Sequence, residues 1–112
     1  MVTIFEEIIK GNIPCNKVFE DDRFIVIEDK FPQAPVHLLI IPKKHFERLH
    51  NLSFEDTSLI SEAVRIAQHL ADSLGISDGY RIVINNGPGA GQTVFHLHIH
   101  LLGGEKMGHD FA

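Results

Sequence analysis

Three histidines occupy every second position in the segment His96-Leu97-His98-Ile99-His100-Leu101-Leu102. A strand alternates its side chains between two faces, so this spacing predicts His96, His98 and His100 on one face and Leu97, Ile99 and Leu101 on the other. Neighbouring imidazoles would then stand about 6.6 Å apart, at ~3.3 Å per residue. Imidazole attacks phosphorus and carbonyl centres, leaves readily and titrates at about pH 6.5. Three readings fit such a row. A half-exposed strand could carry it as plain polar surface, although Ser, Thr or Lys would serve as well. A metal could use two imidazoles on one side of a strand, with the missing ligand from His37 or elsewhere, although the row holds no Cys or carboxylate. The third reading is nucleophilic or acid–base catalysis.

The loop before the row favours an anion at the strand's end. Gly87, Gly89 and Gly91 allow close backbone approach and inward N–H groups, as phosphate cradles do. Gln92 and Thr93 follow with short polar donors, and Asn85 lies on the other limb. A plain glycine-rich hairpin loop is the alternative.

These residues need a scaffold. Thr3-Ile4-Phe5-Glu6 reads as a capping box, followed by Ile8, Ile9 and Gly11, which predicts a short helix over about 3–10. Lys17–Glu20 and Phe24–Glu28 flank the polar Asp21-Asp22-Arg23 and read as a hairpin. Val36 to Ile41 is an apolar strand ended by Pro42. Ser53 to Asp56 caps a long helix over about 54–74, where Leu59, Ala63, Ala67, Leu70 and Leu74 recur at helical steps. Tyr80 to Asn85 and Thr93 to Leu102 read as two further strands. The expected fold class is α+β: an antiparallel sheet of about five strands, with one short and one long helix packed on one face.

The 112 residues fit one domain, 1–112, which should bury about 65% of its unfolded surface without staples. Lys plus Arg is 10 and Asp plus Glu is 15, a net charge of −5 that argues against a nucleic-acid backbone binder. No apolar run approaches the ~20 residues that span a bilayer, so no membrane role is expected. The acidic N-terminal segment does not read as an export signal, and the single Cys15 cannot form an internal disulfide. A reducing, cytoplasmic setting is the expectation. Cys15 reads as an adventitious small residue. His45, His50, His69 and His109 read as surface residues.

His-x-His-x-His followed by two apolar residues resembles the signature of the histidine triad superfamily. The resemblance continues along nearly the whole chain. Thr3-Ile4-Phe5, Ile13-Pro14, Phe19-Glu20-Asp21-Asp22, Pro32-Gln33-Ala34-Pro35-x-His37, Ile41-Pro42-Lys43-Lys44-His45, Gly79-Tyr80-Arg81, Gly91-Gln92-x-Val94 and Leu102-Gly103-Gly104 look like the Hint branch, the histidine triad nucleotide-binding proteins.

The resemblance implies a homodimer that binds purine nucleotides and hydrolyses nucleoside phosphoramidates to AMP or GMP and an amine, with no cofactor and no metal. It implies that His98 is the nucleophile and becomes nucleotidylated. His100 and His37 would lie near the phosphate and leaving group, and the His96 carbonyl would orient the nucleophile's ring. Asn85, Gln92 and Thr93 would contact phosphate or leaving group. Asp29 would take the ribose hydroxyls, and Ile4, Phe5, Ile8 and Ile27 would hold the base. A dinucleoside polyphosphate hydrolase, or a non-catalytic nucleotide-binding scaffold, are the competing functions. Two departures stand out: Lys30 where close relatives often have an apolar residue, and a C-terminus without the Trp-Pro-Pro-Gly ending, where Phe111 is the nearest aromatic.

Overall fold

The computed structural model describes residues 2–109. Thr3 opens the first helix, α1 (Ile4–Ile9). Its Oγ1 accepts from the Glu6 N–H at 3.2 Å, and Glu6 Oε1 accepts from the Thr3 N–H at 3.0 Å. That reciprocal pair is the capping box read from the sequence. Gly11, at φ +82°, follows the helix.

Five strands form one antiparallel sheet: β1 (Lys17–Glu20), β2 (Phe24–Glu28), β3 (Val36–Pro42), β4 (Tyr80–Val83) and β5 (Ile99–Gly103). Their spatial order is β1-β2-β3-β5-β4. Asp21 Oδ1 accepts from the Arg23 and Phe24 N–H groups and closes the β1–β2 hairpin. The long helix, α2 (Ser58–Ser73), lies between β3 and β4 in the chain. It begins later than the sequence suggests. Ser53 Oγ accepts from the Asp56 N–H at 3.3 Å and thus caps a 3-10 turn over Glu55–Thr57, from which α2 continues.

The sheet separates two apolar clusters. On one face Phe24, Val26, Leu38, Ile40, Ile99 and Leu101 pack under Leu59, Ala63, Ala67 and Leu70 of α2. On the other, Ile25, Ile27, Leu39 and Ile41 pack under Phe5 and Ile8 of α1. The two helices therefore lie on opposite faces, not on one. The reason is visible in β2 and β3, which are apolar at consecutive positions and need cover on both sides. The small helix covers only part of its face, and the rest is where the histidines emerge.

β5 begins at Ile99 rather than Thr93. Pairing with β3 runs from Val36↔Gly103 to Ile40↔Ile99. Before that, the Leu97 N–H donates to the Phe46 carbonyl at 2.7 Å, and Gln92 Nε2 donates to the Val94 carbonyl at 3.0 Å. These bonds hold residues 93–98 away from the ladder. Among the described residues, no helix is long and apolar enough to cross a membrane. Phe111 lies outside them.

Candidate active site

The register of β3 and β5 builds the polar face of the site. Leu39 pairs with His100 and His37 with Leu102, so His37 and His100 are diagonal neighbours on the α1 face. His37 Nε2 lies 2.9 Å from His100 Nδ1 and 3.3 Å from Asp29 Oδ2. His37 Nδ1 accepts from the Gln33 backbone N–H at 3.0 Å. A backbone amide only donates, so neutral His37 carries its proton on Nε2.

His98 sits one step before β5, its ring centroid 5.2 Å from that of His100. His98 Nδ1 is 2.7 Å from the His96 carbonyl oxygen. A carbonyl only accepts, so Nδ1 carries the proton and Nε2 keeps a free lone pair. The Phe5 and His98 rings meet in a T-shaped pair, 5.0 Å between centroids and 79° between planes.

His96 lies on the α1 side as well, its ring centroid 6.2 Å from that of Phe5, but it does not line the cavity as the other two do. It is fully buried, and its Nε2–H donates to the Pro42 carbonyl at 2.7 Å. The chain here is irregular rather than stranded, and His96 packs its ring between those of Phe5 and His45. Its place in the site is through its backbone oxygen. His45, read as a surface residue, is exposed, yet its Nε2–H donates to the Phe95 carbonyl at 2.9 Å and its ring centroid lies 4.9 Å from that of His96. No periodic pattern links residues 45 and 96. His50, His69 and His109 are exposed, as expected.

A cavity of about 830 Å³ opens in front of His98 and His100. Ile4, Phe5, Ile8, Ile27 and Leu39 form its apolar wall, and Asp29, Asn85, Thr93, His98 and His100 contribute polar groups. Its volume is in the range of small-molecule sites. Lys30, Phe31, Cys15 and Asn16 also line it. Cys15 and Asn16 were invisible to sequence reasoning, because an exposed residue in a β-lead-in segment carries no pattern.

Gln92 is placed differently from the sequence expectation. It is buried, its Oε1 accepts from the Gly87 N–H at 2.8 Å, and its Nε2 donates to the Glu47 and Val94 carbonyls at 2.7 and 3.0 Å. The loop's own N–H groups are similarly engaged: Ala90 and Gln92 donate to the Gly87 carbonyl and Gly91 to that of Pro88. Gly87 and Gly91 adopt φ of +87° and +92°, which glycine takes without strain. The loop is thus a rigid, internally bonded turn that offers Gly91 and Thr93 to the cavity.

Burial holds all four imidazoles toward the neutral form. It lowers the His37, His96 and His98 pKa values from 6.5, against the opposing pull of Asp29 on His37 and of the accepting carbonyls on His96 and His98. His100 is pushed down to about 4, by burial first and then by His98 and His37. A row of neutral imidazoles offers one free lone pair at His98 and ring N–H donors beside it, which suits attack on an electrophile that gains negative charge.

Among the described residues, two groups have donor atoms close enough for a metal ion: Asp29, His37 and His100, and Glu6, His45 and His96, each within 4.8 Å of one another. In the first, His37 Nε2 and His100 Nδ1 already bond each other. In the second, His96 Nδ1 is buried and, among the described residues, has no partner.

A family model described as "HIT domain" matches residues 10–107. The chain is 65% identical over 108 residues to an uncharacterized HIT-like protein of Chlamydia muridarum, covering 96% of this chain and 86% of the relative. A HIT-like protein of Synechocystis is 50% identical over 105 residues, covering 94% and 92%. Among solved structures, a HIT family hydrolase from Legionella pneumophila matches with a TM-score of 0.91 at 44% identity, over 94% of this chain and 95% of that one. A histidine triad nucleotide-binding protein from Candida albicans matches with a TM-score of 0.80 at 36% identity, over 89% and 73%. With its histidine row, its five-stranded sheet and these relatives, the chain belongs to the HIT domain family.

Proposed function

We propose that the protein is a purine nucleoside phosphoramidase of the Hint branch, working through a covalent nucleotidyl-His98 intermediate. The observation that carries this reading is the 2.7 Å bond from His98 Nδ1–H to the His96 carbonyl, which leaves Nε2 as a lone pair beside the cavity. The hydrolase and nucleotide-binding names of the solved relatives support it.

His98 Nε2 attacks the α-phosphorus, the P–N bond breaks, and the departing amine nitrogen takes up a proton from water. Water then attacks phosphorus, the P–Nε2 bond breaks, and a nucleoside monophosphate leaves with His98 restored. Splitting one displacement into two lowers each barrier. Neutral ring N–H groups and the Thr93 hydroxyl stabilise charge on the phosphoryl oxygens. Asp29 accepts from the ribose hydroxyls, and Ile4, Phe5, Ile8 and Ile27 hold the purine. Asn85 and Thr93 contact phosphate or leaving group. Lys30, beside Asp29 on the wall, meets the base or the ribose edge with a charge where an apolar side chain would stack.

The protein acts as a homodimer in this reading. The sheet order leaves β4 as an edge strand, with Ile82 exposed on it. Sedimentation at micromolar concentration showing only monomer removes the dimer.

Intact-protein mass spectrometry after brief exposure to adenosine 5′-phosphoramidate tests the chemistry. The expected result is a nucleotidyl adduct on the parent that is absent from His98→Ala. Turnover of diadenosine polyphosphate but not of the phosphoramidate would transfer the site to the other hydrolase class. Tight AMP binding with turnover of neither would make it a sensor.

A further inference from the structure

His37 has one ring proton, hydrogen-bonded to His100 Nδ1, and Asp29 stands close enough to compete for it. Nδ1 is taken by the Gln33 N–H, so the proton is on Nε2, which lies 2.9 Å from His100 Nδ1 and 3.3 Å from Asp29 Oδ2. The choice between these acceptors matters to His100. When the proton points at His100 Nδ1, that nitrogen must be the acceptor, and the His100 proton sits on Nε2, the nitrogen turned away from His37. When it points at Asp29, Nδ1 of His100 loses its donor and either tautomer is open. Asp29 is a strong competitor because it is charged, and its other oxygen already accepts from the Phe31 N–H at 2.8 Å.

Asp29 also lines the cavity, with its side chain 19% exposed. It therefore touches both the His37 proton and whatever occupies the cavity beside it. Resting on the phosphoramidase reading, we infer that Asp29 couples a bound sugar diol to the proton position on His100, with His37 as the positioning residue between them. Two hydroxyls donating to Asp29, added to the Phe31 N–H, draw on its charge and weaken its hold on the His37 proton. The existing 2.9 Å hydrogen bond to His100 Nδ1 is then no longer shared and holds His100 in the Nε2–H tautomer, which donates to the phosphoryl oxygen. Where His100 carried its proton on Nδ1, that N–H bond breaks with the proton passing to water, and an N–H bond forms at Nε2 with a proton from water, so the ring stays neutral. The diol thereby contributes to the rate of the chemical step as well as to binding. A wrongly set histidine tautomer can cost as much as ~10⁴ in rate, so even partial control is measurable.

Two measurements test this. The first compares adenosine 5′-phosphoramidate with its 2′,3′-dideoxy analogue. The dideoxy substrate should lose at least about tenfold in kcat, beyond any change in KM. In Asp29→Asn, which presents no charged competitor, the kcat gap between the two substrates should narrow. A loss confined to KM, or a gap unchanged in Asp29→Asn, overturns the coupling. The second measurement needs no turnover: the ¹⁵N ring shifts of His100 at saturating AMP and at saturating 2′,3′-dideoxy-AMP. AMP should give a single Nε2–H tautomer and the dideoxy nucleotide a mixture. The same tautomer state in both overturns the inference even where phosphoramidase activity is present. Absence of turnover with a diol-dependent tautomer instead removes the phosphoramidase reading and leaves the coupling standing.

Discussion

The ring of His98 is held by the backbone of His96, two residues earlier, through a 2.7 Å bond from Nδ1–H to the carbonyl oxygen. That carbonyl is itself fixed on both sides: the next amide, Leu97 N–H, donates to the Phe46 carbonyl, and the His96 ring donates to Pro42. The tautomer of the nucleophile thus depends on how the segment after β3 meets the lead-in to β5. No side chain can be swapped to change it directly.

His96→Ala should show this. It leaves the His98 side chain untouched but removes the Pro42 bond and opens a fully buried volume. A stability loss of about 1–3 kcal/mol is expected from the unmet carbonyl and the void. At a temperature where the variant is folded, kcat should fall while nucleotide affinity changes little. Parent-level kcat in folded His96→Ala would show that the carbonyl holds its position without the ring.

Gln92→Ala separates scaffold from ligand contact. The buried amide joins Gly87, Glu47 and Val94. Truncation strands two carbonyls and one N–H, and should cost about 2–3 kcal/mol in a urea titration. A KM effect without loss of stability would return Gln92 to the phosphate contacts that the family resemblance implies.

Gly103→Ala probes the far end of β5. A Cβ there would meet Ile76 Cδ1 at 2.8 Å and the Gly79 carbonyl at 3.2 Å. The carbonyl belongs to backbone and yields little, so overpacking of about 1–3 kcal/mol is expected. A thermal midpoint equal to that of the parent would show that Ile76 moves freely.

Much of this was legible in the sequence because it follows from local rules. The Thr3–Glu6 box, the Asp21 turn and the heptad-like spacing of α2 each depend on neighbours a few residues away. So does the pairing of His98 with the His96 carbonyl, which the resemblance supplied. The face of α1 was not legible, since consecutive apolar residues in β2 and β3 say that both faces are covered but not by which helix. The burial of His96 was not legible either. It depends on Phe46 and Pro42, about fifty residues away, whose carbonyls accept from the Leu97 N–H and the His96 ring. The role of Gln92 was hidden for the same reason: its partner Glu47 is distant in sequence.

Neutral imidazoles should also shape the acid limb of activity. The nucleophile works only unprotonated, and burial lowers the His98 pKa from 6.5. A profile of kcat/KM against pH should therefore hold its plateau below pH 6.5 and fall with a midpoint beneath that value. A midpoint above 6.5 would mean that another group sets the limb.

Stability should follow the same protons. In the unfolded chain each of the four histidines takes up a proton near its ordinary value of 6.5, whereas in the fold His37, His96 and His98 are held lower and His100 is held at about 4. Between those values the unfolded chain binds more protons than the native one, so stability must rise with pH and fall as pH drops. Above about 6.5 the contribution is flat. Glu20, held at about 2 by Lys17 and Lys43, acts in the same direction but only below its ordinary 4.5. The window from pH 6.5 to 5 thus belongs to the histidines. Urea midpoints taken across it should decline for the parent and decline less steeply for His100→Gln, which has one fewer proton to gain on unfolding. An equal slope in the two proteins would mean that His100 is not held neutral by the fold.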